Sequence, residues 1–135
     1  MKHPGAALTK GWFSAISGNV GYPVYDGIAP ENYNGSYVLI SQPNCVQSQD
    51  KGGYTWTCNI IIDCVLKSGN FGFKDSDTTA SAVMALIDSD NQLNLAPDFK
   101  CVQTSVLSLN NLPSLNATEP TFRTIIRYQH IIQQL

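Results

Sequence analysis

The side chains whose types and spacing could do chemistry are His3 and His130, the cysteines 45, 58, 64 and 101, the pair Asp88 and Asp90, and the pair Arg123 and Arg127. A zinc site draws its ligands from closely spaced Cys and His pairs. No C-x-x-C occurs and the two histidines sit at opposite ends of the chain, so no metal site is expected. Cys58 and Cys64 share one strand face but stand too far apart to bridge each other. The four cysteines are read as small buried hydrophobes with reduced thiols. His130 would act as a general base only beside a convergent acid and nucleophile. Its alternation places it among core-facing residues, so it is read as a hydrogen-bonded structural histidine. Asp88 and Asp90 follow a helix and are read as solvated, not as a metal pair. Arg123 and Arg127 fall on one strand face, where guanidinium groups suit carboxylate partners across a contact. No nucleophile elbow, phosphate loop, H-E-x-x-H or dinucleotide pattern occurs, so no catalytic or cofactor-binding residue is assigned and no enzyme is expected.

The elements that must position these groups centre on Tyr54 to Lys67. Every second residue, Tyr54, Trp56, Cys58, Ile60, Ile62, Cys64 and Leu66, is apolar or aromatic, and the alternate set is mostly polar. This is a strand with one dry face, and Trp56 is read as core. At roughly 3.3 Å per residue it runs well beyond the usual strand, so it overhangs a small domain and leaves backbone groups seeking a partner. Before it come a helix over Pro4 to Ser17, with Leu8, Trp12, Ala15 and Ile16 as its stripe, a short edge strand at Val24-Tyr25, and a strand over Tyr37 to Gln42. That strand is interrupted at Pro43-Asn44 and is expected to continue to Gln49 and enter a hairpin through the Asp50 to Gly53 turn. After it come a loop over Ser68 to Lys74, whose Phe71 and Phe73 are read as either a lid folded back on the core or a subunit contact, a helix over Thr78 to Asp88, a strand over Phe99 to Leu109, a loop over Asn110 to Glu119, and a second long strand over Thr121 to Ile132. Two amphipathic helices need one dry sheet face to bury their stripes. The expected fold is therefore α+β, a two-layer sandwich with a four- to five-stranded, mostly antiparallel sheet and both helices on one face, in a single domain over residues 1–135.

Composition narrows the function classes. Of 135 residues 43% are hydrophobic, enough for a core, while 13% are charged, about half the ordinary share. A surface so weakly charged is poorly protected against association. The formal net charge of −2, with no basic stripe, argues against groove-reading of nucleic acid. The N-terminal stretch lacks a basic head and apolar run, so no signal peptide is read, and no apolar run is long enough for a membrane span. Overlong strands, low charge and loop aromatics together point to an assembly subunit. Phe71, Phe73, Arg123 and Arg127 are the candidate subunit-interface residues.

The N-terminal helix, then PVYDG (Pro23 to Gly27), a proline loop and YVLIS (Tyr37 to Ser41), resembles the opening of small tail-completion or tail-terminator proteins of long-tailed bacteriophages. The ending FRTIIRYQHII (Phe122 to Ile132) is similar to that family's last strand. The resemblance implies an α+β virion subunit, made in the host cytoplasm, that closes into a ring, commonly of six. The ring sits at the head-proximal end of the tail, ends polymerisation of the tube and joins it to the head. The implied partners are other copies of the chain, the tail-tube protein and the head-tail connector, with DNA passing through the ring without sequence-specific binding. The family carries no catalytic residues. The alternatives are a connector or stopper ring in the neck and, from another class, a small cystatin-like α+β enzyme or ligand-binding domain. A deep pocket with convergent polar groups would mark the latter.

Overall fold

The computed structural model of the chain describes residues 2–30, 35–50, 53–67, 73–114 and 121–135. In order the elements are α1 (Gly5–Ile16), β1 (Val24–Asp26), β2 (Tyr37–Asp50), β3 (Gly53–Lys67), α2 (Lys74–Leu86), β4 (Phe99–Ser114) and β5 (Thr121–Gln134). The strands form one sheet in the order β1-β2-β3-β5-β4. All pairings are antiparallel except β1 with β2. The helices pack on one face, α1 on β1 and β2 and α2 on β3 and β5. This is the α+β two-layer sandwich that the alternation and the helical stripes require.

The core forms where the stripes meet the dry face. Leu8, Trp12 and Ile16 of α1 and Ala80 and Val83 of α2 close over Val38, Ile40, Cys58, Ile60, Ile62, Cys64, Ile126, Tyr128 and Ile132, all buried. Gly11 lets α1 approach the segment at 93–95 closely. A Cβ there would lie 2.8 Å from Leu95 Cδ2 and 3.3 Å from the Asn94 carbonyl oxygen. Gly18, at φ +80°, follows the helix stop that the sequence predicts.

Several boundaries differ from the sequence expectation, each for a local reason. β2 runs unbroken past Pro43-Asn44, because a register shift between Ser41 and Asn44 absorbs the interruption as a bulge. α2 begins a turn earlier than Thr78. The Phe73 carbonyl accepts the Asp77 N–H at 2.8 Å and the Ser76 hydroxyl at 3.1 Å, so the first turn closes there. It ends by Leu86 because the Asp88 carboxylate turns back onto the N–H groups of Asp90 and Asn91, at 2.8 and 2.7 Å. Those donors, Asn91 first, hold the Asp88 carboxyl below its ordinary value. Residues 110–114, expected in a loop, instead continue β4 opposite β5.

Trp56 is half-buried at the margin of the core, and Tyr54 is exposed. The first residues of β3 lie at the edge of the helix layer, where Trp56 has the His3 ring as a neighbour, 6.5 Å between centroids, and Tyr54 stays open to solvent. Trp12, fully buried, is the tryptophan of the core.

Candidate interaction surface

The sequence-predicted site residues fall into three environments. Arg123 and Arg127 share the face of β5 that carries no helix. Arg123 stands opposite Val65, two residues out of register with Asp63 and so diagonal to it on the same face of the β3–β5 pair. It donates from Nε to Asp63 Oδ2 at 3.1 Å and from Nη2 to the same oxygen. Asp63 is buried on this face, flanked in register by Leu39 and Ile125. The guanidinium, part in water, thus compensates a carboxylate that would otherwise be desolvated alone. Arg127 is exposed and makes no ion pair among the described residues. With Asn44, Asn59, Ile61 and Leu107 it lines a cavity of about 250 Å³ on the helix-free face. Phe73 is half-buried at the start of α2, its ring edge-on to Phe122 of the same chain at 5.1 Å. Phe71 lies outside the described residues.

His130 is built into the core as expected. The Trp12 indole N–H donates to its Nε2 at 3.0 Å. An indole only donates, so Nε2 is the unprotonated nitrogen and Nδ1 carries the hydrogen, which points to the Thr104 hydroxyl oxygen at 3.0 Å. Burial lowers the pKa of His130 to about 4, so the ring stays neutral at physiological pH. The network ties α1 to β5 and β4. At the other end of the layer Tyr128 donates to the Ile87 carbonyl at 2.9 Å, and Thr124 Oγ1 lies 2.9 Å from Ser76 Oγ and 2.8 Å from Asn111 Oδ1. These buried polar residues fix the helices on the sheet.

What the residue-by-residue reading missed is the edge strand β4. Val102, Val106, Leu107, Leu109 and Leu112 are all exposed. Two register shifts, at Cys101/Gln103 and Val106/Ser108, leave Val102 and Leu107 outside the ladder. Val106 and Leu109 stand opposite Tyr128 and Ile126, on the helix side of the sheet. They remain bare because α1 and α2 cover β1, β2, β3 and β5 and do not reach this strand. Leu112 stands opposite Arg123 on the other face. Beyond Val102, whose carbonyl accepts from Gln92 Nε2 at 3.1 Å, the edge of β4 has no outer strand among the described residues and carries apolar side chains on both sides, the surface that a pairing chain uses. The opposite edge of the sheet is also open, since β1 pairs with β2 only at residues 38–40 and the rest of β2 has no outer neighbour among the described residues.

No known family model matches the sequence, and no curated protein matches it either. The fold does have a solved counterpart. The chain superposes on one from the structure "Virion of native gene transfer agent (GTA) particle", with a TM-score of 0.74 and 18% identity, covering 97% of this chain and 99% of that one. At this identity the likeness is one of fold, and it runs from end to end.

A concavity of about 490 Å³ lies between α1 and the segment after α2, lined among others by Lys10, Ser14, Gln92 and Asn94. Among the described residues that line it Lys10 is the one titratable side chain, and no acid–base pair of the kind a hydrolytic or transfer site uses is brought together there. Among the described residues no group of three or more His, Cys, Asp or Glu could hold a metal ion, and no helix is long and apolar enough to cross a membrane.

Proposed function

We propose that this chain is a structural subunit of a phage or phage-like particle, and within it a tail-terminator protein. It closes into a ring of about six at the head-proximal end of the tail, where it ends tube growth and meets the head connector. The observation that carries the reading is the end-to-end fold likeness to a virion chain. The sequence resemblance, the uncovered β4 edge and the low surface charge support it. Two different open edges, β4 on one side and the outer part of β2 on the other, make a head-to-tail contact between copies, and such contacts close into rings when the rotation permits. On this reading Phe71, Phe73, Arg123 and Arg127 contribute to subunit or connector contacts. Arg127 and Leu107 lie on one flank of the same surface, and Arg123 and Leu112 beside them. The tail-tube protein and the connector are the partners above and below the ring, and DNA passes through it unread.

The test is the mass of the purified protein in solution together with negative-stain images. The expected result is a ring with a central channel and a mass near six times the 14.7 kDa subunit. A monomer both at high concentration and in particle extracts would overturn the reading.

A further inference from the structure

Cys45 and Cys58 are directly opposite each other in the antiparallel ladder of β2 and β3. Opposed residues in such a ladder have Cα atoms about 4.5–5.5 Å apart, inside the roughly 4.4–6.8 Å window of a disulfide. Both side chains are on the helix side of the sheet, and the two sulfurs stand 2.7 Å apart, Cys58 donating to Cys45. No other pair of cysteines is opposed in this way: Cys64 faces Val38 and Thr124, and Cys101 faces Ile132. Cys45 is half-buried and sits on β2 beyond the reach of β1, so reagents approach it from the open edge, whereas Cys58 is fully buried.

We propose that Cys45 and Cys58 are an oxidisable dithiol that closes to a cross-strand disulfide by exchange with a low-molecular-weight disulfide such as glutathione disulfide. The Cys45 thiolate attacks one sulfur of the small disulfide, forms a mixed disulfide and releases one small thiolate. The Cys58 thiol then gives its proton to solvent and attacks the Cys45 sulfur, expelling the second small thiolate. Two protein thiols become one protein disulfide, the small disulfide is reduced to two thiols, and both protein protons leave with it.

The order of attack follows from the environment of each sulfur. The hydrogen bond from Cys58 holds the Cys45 thiol below its ordinary value, which favours the thiolate that reacts first. The same bond and burial push Cys58 far up. Once Cys45 is in a mixed disulfide it no longer offers a thiolate to hold the Cys58 hydrogen, so the contact that raises Cys58 most is lost, while burial still raises it. Within the reducing interior of a cell the pair stays as thiols, and an oxidising medium closes it. The bond would fasten the hairpin arms between the bulge at Ser41/Asn44 and the tip at Asp50↔Gly53, the part of β2 and β3 at the edge of the helix layer. The pair lies within one chain and does not depend on the ring.

The experiment exposes the reduced, full-length protein to glutathione disulfide and follows intact mass, peptide mapping and melting. The expected product has lost two hydrogens, carries a Cys45–Cys58 link and melts at a higher temperature until dithiothreitol is added. Cys101→Ala should still form the link, and Cys45→Ser, a change at a half-exposed position, should fold and form none. The proposal is overturned if all four thiols remain alkylatable after unfolding, if Cys45 stops at a stable glutathione adduct, or if the bond maps to another pair or joins two chains.

Discussion

β3 and β4 are strands of nearly equal length in one sheet, 15 and 16 residues, and they are used in opposite ways. From Cys58 onward the helix side of β3 is buried, with α2 packed on the strand, and even on its other face Asp63 and Val65 are buried. From Val106 onward β4 has, among the described residues, one neighbouring strand, no helix packed above it and exposed apolar side chains. Apolar content alone does not account for the contrast, since β4 leaves Val106, Leu107, Leu109 and Leu112 exposed although they are as apolar as the buried residues of β3. Position in the sheet does, because a central strand is covered by neighbours whatever its sequence, while an edge strand needs a second chain to cover it. The centre of the sheet therefore holds the fold, and its far edge is left for assembly.

The strongest test of this division removes a side chain from the sealed region. Trp12→Ala deletes a fully buried ring and leaves His130 Nε2 without its donor. It should lower stability by roughly 3–5 kcal/mol in urea unfolding. A loss under about 1 kcal/mol would mean that α1 is not fastened to the sheet as described.

Acid attacks the same region. The folded pKa of His130, about 4, lies below the ordinary unfolded value near 6.5. The unfolded chain therefore binds the proton first as pH falls. The stabilisation is complete above about pH 6.5 and is lost progressively down to about pH 4, amounting to about 3 kcal/mol from this residue. Urea unfolding across that range should show the fall, and His130→Gln should flatten it. An equal slope in the variant would assign the acid sensitivity to other groups.

Arg123→Ala probes the border between the regions, where β5 meets both strands. Loss of the guanidinium leaves the buried Asp63 carboxylate without its partner. Because the arginine is partly in water, the cost should be about 1–2 kcal/mol, below that of a fully buried pair. Asp63→Asn in the same background should restore part of it, a double-mutant cycle that reads the pair directly.

The smallest expected effect on stability carries the most information about function. Leu107→Ser and Leu109→Ser, on the distal half of β4, should change monomer stability by no more than about 0.5 kcal/mol. On the proposed reading they should nonetheless prevent ring formation in light scattering. If they lower stability by several kcal/mol, or leave stability and ring formation both untouched, the two strands have been assigned the wrong roles.

The sequence by itself determined the class of fold and most of its elements. The period-two run at Tyr54 to Lys67 and the helical stripe through Leu8, Trp12 and Ile16 each permit one buried face, and a two-layer sandwich is what buries them together. It also marked His130 as a core-facing, hydrogen-bonded residue, because alternation along one strand is a local property. Three things depended on the tertiary structure. The opposition of Cys45 to Cys58 and the closeness of Arg123 to Asp63 are matters of register between strands, which a single strand's pattern does not carry. The half-buried state of Trp56 reflects where the helices stop, not the alternation that placed it on the dry side. The exposure of Leu107, Leu109 and Leu112 follows from the strand order that puts β4 at the edge. Alternation fixes which way a side chain points, but only the assembled neighbours decide whether anything lies there to cover it.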